Sequence, residues 1–137
     1  MWPHDTGIIA EGMRRYGFRA EASRLALHLF EAAAFFDYRL PELFAGFTRD
    51  VTEFPVEYPT ASIPQAWSAG APLLALRTVL GIDVVGGTLR VDPHLPPGWR
   101  RLSLTGIRVR GSLADATGER GDAARRGGHI PTEAHGT

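Results

Sequence analysis

The chain has 137 residues, of which 44% are apolar and 22% are charged, and this composition is that of a globular protein with one hydrophobic core. Fifteen basic residues, all arginine, balance fifteen acidic ones, so the zero net charge gives no indication of a nucleic acid or an anionic membrane as partner. The lack of cysteine excludes disulfides and thiolate metal sites, and no apolar run approaches the roughly 20 residues that a membrane span needs.

Two amphipathic helices are predicted in the first 37 residues. The first begins near Asp5 or Thr6, either of which could cap the free backbone N–H groups, and it ends at Gly17. The second covers residues 19–37 and has an apolar stripe opposite a stripe of charged residues at i+3 and i+4 spacing. The short turn between them predicts an antiparallel helical hairpin.

A third helix is predicted over residues 63–80, before Gly81. Ser62 and Gln65 have the spacing of a capping box at its start. Apolar residues surround this helix on nearly every side, which is typical of a buried helix. We also expect Pro72 to kink it, because the proline ring meets the carbonyl group four residues earlier.

The segments on either side of the third helix lack helical periodicity. Residues 40–63 form a long loop with several aromatic residues, and loops of this length are uncommon in compact domains unless they have a function. Four short strands are predicted after the helix, at 82–85, 88–91, 101–104 and 107–110, with a hairpin turn at Gly86 and Gly87. Residues 111–137 are polar and glycine-rich, and we interpret them as a disordered tail.

Residues suited to binding sugars occur at two predicted helix starts and in the long loop: Trp2, His4, Asp5, Glu42, Gln65 and Trp67. Carboxylates and amides bind hydroxyl groups, aromatic rings stack on apolar sugar faces, and a carboxylate can activate water. The five histidines are too scattered for a metal-ligand pattern, and no glycine loop is followed by the lysine of a phosphate-binding loop. We therefore expect no metal and no cofactor.

Four of these residues also have a purely structural interpretation. Asp5 could be a helix N-cap, Glu42 a solvated loop carboxylate, and Gln65 half of a capping box. Trp67 lies on a helix that the pattern predicts to be buried, where an indole more often belongs to the core. Spacing alone leaves both interpretations open.

Five motifs in order extend over about 100 residues and together resemble a known enzyme family. They are Trp-Pro-His-Asp-Thr at 2–6, Arg-Tyr-Gly-Phe at 15–18, Leu-Pro-Glu-Leu-Phe-Ala-Gly at 40–46, Pro-Gln-Ala-Trp-Ser-Ala-Gly-Ala-Pro at 64–72, and Val-Asp-Pro-His-Leu-Pro-Pro-Gly-Trp at 91–99. The stretch is similar to the C-terminal part of the catalytic domain of bacterial amylo-α-1,6-glucosidases, which are glycogen-debranching-type glycoside hydrolases with an (α/α)6 barrel.

This resemblance implies an inverting α-glucosidase-type activity on α-glucan oligosaccharides. Glu42 would be the general base that activates water, while Trp2, His4, Asp5, Gln65 and Trp67 would bind the substrate. Inverting enzymes hold their acid and base roughly 6.5–9.5 Å apart, which leaves room for the attacking water. The general acid of the family lies in a segment upstream of the motifs present here.

Twelve helices need on the order of 300 residues, whereas about three are predicted here. The expected fold is therefore mainly α: a partial (α/α)6 toroid over residues 1–81, a small β appendage over 82–110 and the tail. We expect a cytoplasmic fragment that is inactive alone, with the missing N-terminal part of the enzyme as its partner and no nucleic acid or membrane partner. The alternative is a non-catalytic helical module that binds a protein or a sugar.

Overall fold

Three helices are followed by two β-hairpins in the computed structural model, which describes residues 1–121. The elements are α1 (Pro3–Arg15), α2 (Arg19–Phe35), α3 (Ala66–Leu80), β1 (Ile82–Val85), β2 (Thr88–Val91), β3 (Arg101–Val109) and β4 (Ser112–Glu119). Each helix packs against the other two. No helix in this part of the chain is both long enough and apolar enough to cross a membrane.

The prediction of a mainly α, partial (α/α)6 toroid is wrong. The described residues form a three-helix layer and two separate two-stranded antiparallel sheets, β1–β2 and β3–β4. The three helices lie close to the predicted positions, but periodicity does not show which neighbours cover a helix: Ile8 and Ile9, on the apolar face of α1, are 61% and 56% exposed. The strands predicted at 101–104 and 107–110 are parts of one strand, β3, with an irregularity in register between Leu104 and Ile107. The strands also form a larger share of the fold than the sequence pattern indicated, because β4 was not predicted.

Strand β4 replaces part of the expected disordered tail. Its buried positions are Ala116 and Gly118, which alternate with the exposed Asp115 and Thr117. Because the buried residues are small, they differ little in hydrophobicity from the exposed ones, and the alternation that indicates a strand is weak in the sequence. Gly118 leaves space for the neighbouring chain, since a Cβ atom there would lie 2.6 Å from Pro93 Cβ. The predicted tail beyond residue 121 lies outside the described residues.

The helix starts also differ from the expected caps. Helix α1 begins at Pro3 in the first turn, so the N-cap is Trp2, and Asp5 and Thr6 lie inside the helix. Helix α3 begins at Ala66 with Gln65 as N-cap, so Ser62 lies outside it. In α1 the fixed φ of proline and its missing N–H suit the first helical position, which explains why the helix starts earlier than the polar residues suggested.

Helix α3 is only half buried within residues 1–121. Ala71, Ala75 and Val79 are buried against α2, whereas Trp67 and Leu73 are 50% and 68% exposed. Two neighbouring helices cannot cover an apolar helix on every side, so part of its surface stays open to solvent. The expectation of a fully buried helix is therefore wrong for the described residues.

The core continues from the helices into the hairpins. Ala26, Leu29, Ala75 and Val79 fill the space between α2 and α3. Another cluster joins the end of α3 to both sheets and consists of Leu80, Ile82, Leu89 and Ala116, with flanking residues of β3 and β4. The predicted strands at 82–85 and 88–91 are confirmed, and Gly86 and Gly87 have the positive φ values of 60° and 86° that their tight turn requires.

A buried ionic cluster connects α1, α3 and β1. Glu11 accepts hydrogen bonds from Arg14 Nη2 at 2.8 Å and from Thr78 Oγ1 at 3.1 Å. Arg14 also donates to Asp83 Oδ2 at 2.9 Å, which links the cluster to the first strand. Glu11 and Arg14 have side chains only 10% and 11% exposed, so their charges compensate each other largely out of contact with water.

Candidate functional site

Three aromatic side chains meet where α1 and α3 begin. His4 stacks on Trp67 with ring centroids 4.8 Å apart and an interplanar angle of 23°. Trp2 meets His4 edge to face, at 5.6 Å and 85°. We call Trp2, His4 and Trp67 the aromatic cluster.

The two helices bring these residues together because they run parallel. His4 contacts Trp67 in their first turns, and Glu11 contacts Thr78 further along both helices. Gly7 permits this close packing, since a Cβ atom there would already touch Leu74 Cδ2 at 3.4 Å. The first turns of both helices therefore lie at the same end of the helical layer, and their positive dipole ends suit nearby acidic groups.

Asp5 lies beside the aromatic cluster in the first turn of α1. Its Oδ1 atom is 3.2 Å from Nε2 of His4, and its side chain is 58% exposed. An exposed carboxylate at a helix start can accept hydrogen bonds from hydroxyl groups of a ligand.

Glu42 is held near the same end of the helical layer by backbone contacts. Its backbone N–H donates to the carbonyl of Ser62, and its Oε2 atom accepts from the Ser62 N–H at 3.2 Å. Ser68 Oγ, in α3, approaches the Glu42 carbonyl at 3.5 Å. Two residues later, Phe44 exchanges backbone hydrogen bonds with Met1, at 2.6 and 2.9 Å, and this pairing connects the loop to the segment just before α1.

The two carboxylate oxygens of Glu42 differ: Oε2 accepts the hydrogen bond from Ser62, whereas Oε1 accepts no hydrogen bond within residues 1–121. The half-buried side chain of Glu42 is thus anchored at Oε2 and retains acceptor capacity at Oε1. Gln65 has a clearer structural task, because its Oε1 atom accepts from the Ala66 N–H at 3.1 Å as the N-cap of α3.

The structure thus brings Trp2, Asp5 and Trp67 into contact with His4 and ties the Glu42 backbone to the start of α3. Two residues hold Glu42 in place, Ser62 and Ser68. The sequence does not predict these contacts, because the partners are distant in the chain and no local pattern marks them. In the part of the chain that the structure describes, no group of three or more acidic or histidine side chains could hold a metal ion.

Residues 82–120 match the family model of the C-terminal domain of glycosyl hydrolase family 65. The matched segment contains β1 to β4 and their connections, which is under a third of the chain. No curated protein matches the chain. The match supports a relationship to glycoside hydrolases, and it does not extend to the amylo-α-1,6-glucosidase type or to the helices that contain the aromatic cluster.

Proposed function

We propose that this chain is part of a glycoside hydrolase and that the aromatic cluster, with Asp5, binds a glucosyl unit of an α-glucan. The family match at the hairpins supports the hydrolase class. The stacked contact between His4 and Trp67, beside an exposed carboxylate, is the observation that carries the sugar-binding proposal.

The chemistry of this surface suits a pyranose ring. Trp2 and Trp67 are 38% and 50% exposed, so indole surface is open to a ligand at the same place where Asp5 offers acceptor oxygens. A sugar has apolar C–H faces and a rim of hydroxyl groups, and aromatic rings next to a carboxylate match both. Gln65 completes the proposed binding set through its amide nitrogen, since its oxygen caps α3.

Glu42 is the proposed general base of an inverting reaction. A base must accept a proton from the attacking water, and Oε1 is the atom available for this while Oε2 keeps the loop in place. The five sequence motifs resemble those of debranching-type enzymes but leave the linkage open between α-1,4, α-1,6 and a glucosyl conjugate, so maltose and isomaltose are both substrates to test.

Removing the Trp67 indole is expected to weaken sugar binding. We expect Trp67→Ala to raise the dissociation constant for maltotriose and for isomaltotriose about tenfold, in line with the energy of stacking on an exposed aromatic ring. Isothermal titration calorimetry measures this directly. Tyr16→Ala is the matched control, because Tyr16 is 86% exposed and caps the opposite end of α1. Equal affinity in wild type and Trp67→Ala would contradict the proposed binding surface.

Replacing Glu42 by glutamine tests the base. Glutamine keeps an oxygen for the Ser62 N–H but cannot take a proton from water. In a longer chain that also contains the upstream segment with the general acid, release of glucose from maltose or isomaltose is therefore expected to fall at least about 100-fold. Glu53→Gln, at an exposed position of the same loop, is the control.

The resemblance places the general acid upstream, so we expect this chain to bind sugars with little turnover. Proton NMR of the first product distinguishes the mechanisms, because inversion of an α-glucoside releases β-glucose. Unchanged turnover in Glu42→Gln, or α-glucose as the first product, would contradict the assignment. The alternative of a non-catalytic module predicts the same binding by wild type and Glu42→Gln, and no glucose release from either even when the upstream segment is present.

A further inference from the structure

His4 is enclosed by the groups that the proposed function uses. One face of its ring is covered by Trp67 and its edge meets Trp2. Its Nε2 atom lies 3.2 Å from Asp5 Oδ1. Its Nδ1 atom is buried and has no hydrogen-bond partner within residues 1–121.

Exposure separates His4 from its neighbours. The side chain of His4 is 22% exposed, against 58% for Asp5, while Trp67 is 50% exposed as a residue. A ligand that approached this surface would therefore meet the indole and the carboxylate, and His4 would lie mostly beneath them. We assign the proton to Nε2, because this leaves the buried Nδ1 as an acceptor, which is the less costly atom to bury without a partner.

We propose that His4 is a positioning residue, which holds the Trp67 indole and the Asp5 carboxylate in place for the sugar without touching the sugar itself. This inference rests on the proposed function and changes the role that the sequence motif suggested for His4, which was direct substrate binding.

We expect both neighbours to be restrained by His4. Trp67 lies in the first turn of α3, and within the described residues His4 is its only aromatic contact. Asp5 is exposed, and in that part of the chain the one ion pair of its carboxylate is with His4 Nε2. Loss of the imidazole would leave the indole free to change rotamer and the carboxylate free to rotate into solvent.

Two substitutions divide the role of His4 into its parts. His4→Phe keeps a ring for Trp67 to stack on and removes both nitrogens. His4→Ala removes both the ring and the nitrogens. If His4 acts through Trp67, the phenyl ring should restore what alanine loses, whereas a direct hydrogen bond from His4 to the sugar could not be restored by phenylalanine.

The first measurement needs no sugar and reports on Trp67 alone. Acrylamide quenching of tryptophan fluorescence is recorded for each variant and for the same variant with Trp67→Phe, and the difference isolates Trp67. We expect His4→Ala to raise the quenching constant of Trp67 about twofold and His4→Phe to return it to the wild-type value. Unchanged quenching in His4→Ala, with far-UV circular dichroism showing intact helices, would overturn the inference whether or not the chain binds sugar.

The second measurement is a double-mutant cycle on the dissociation constant for maltotriose. We expect His4→Ala to weaken binding about tenfold in the wild-type background and less than threefold in the Trp67→Ala background. An equal loss in both backgrounds would show a direct contact with the sugar and overturn the positioning role. If wild type binds no sugar while the quenching results are as expected, the proposed function fails and the support of Trp67 by His4 stands.

Discussion

Glu11→Ala is expected to lower the free energy of unfolding by about 3 kcal/mol, the lower end of the range for breaking a buried ion pair. The substitution leaves Arg14 with its charge in a site where its side chain is 11% exposed, and it removes one of the two acceptors of the Thr78 hydroxyl, the other being the Leu74 carbonyl. The loss stays at the lower end because Arg14 keeps its two hydrogen bonds to Asp83.

Urea titration followed by circular dichroism measures this change. Glu21→Ala is the control, because Glu21 also lies three residues before an arginine, Arg24, but the pair is exposed and its atoms are 4.0 Å apart. We expect less than about 1 kcal/mol for this surface pair. Similar losses in the two variants would show that burial of the Glu11 cluster does not matter for stability.

The low pKa of the Glu11 carboxylate predicts that the protein loses stability in acid. Burial by itself raises the pKa of Glu11, but hydrogen bonds from Arg14 and Arg15 outweigh this and hold it at about 2, against 4.5 when exposed. Because the pKa is lower in the folded state, the stabilisation is complete above about pH 5 and decreases as the pH falls towards 2. Glu11→Gln should lose most of this acid dependence, which urea titrations at several pH values can test.

Gly81→Ala is expected to destabilise the protein by at least about 4 kcal/mol, or to prevent folding. Gly81 ends α3 with φ of 61°, and a Cβ atom there would lie 2.0 Å from the carbonyl oxygen of Asp92. That carbonyl cannot move freely, because the Asp92 N–H donates to the Gly81 carbonyl in the same contact. To make room for the methyl group, Gly81 at the end of α3 would have to move away from Asp92, which follows β2, and this hydrogen bond would break.

Gly86→Ala isolates the contribution of backbone conformation. Gly86 has φ of 60°, nearly the same as Gly81, but a Cβ atom there would meet nothing within 4 Å. We expect about 1–2 kcal/mol for this variant, the cost of the left-handed conformation alone. Urea denaturation of both variants provides the comparison, and equal losses would show that the contact with Asp92 is unimportant.

Local patterns predicted the secondary structure where the chain carries strong signals. Helices α1, α2 and α3 and the β1–β2 hairpin follow from apolar periodicity and from glycine at turns. The signals failed where side chains are small, as in β4, whose buried positions are Ala116 and Gly118. They also failed at helix starts, because Pro3 allows α1 to begin before its polar residues.

The candidate site could be predicted only as a set of residue types. Trp2, Asp5 and Trp67 stood out by their chemistry, and their positions at helix starts could be placed from the pattern. The pattern could not predict that α1 and α3 run parallel and bring His4 onto Trp67. This contact joins residues 63 positions apart and depends on the packing of Gly7 against Leu74. The bracing of Glu42 by Ser62 and Ser68 is equally non-local.

The amino-acid sequence by itself determined the helices, the first hairpin and the chemical character of the candidate site, because these depend on neighbours within a few positions along the chain. Only the tertiary structure decided that the helices form one three-membered layer with two hairpins, that Glu11 is buried with Arg14, and that His4 lies beneath Trp67. Those features depend on which surfaces meet after folding, and a local pattern of residues carries no information about a distant partner.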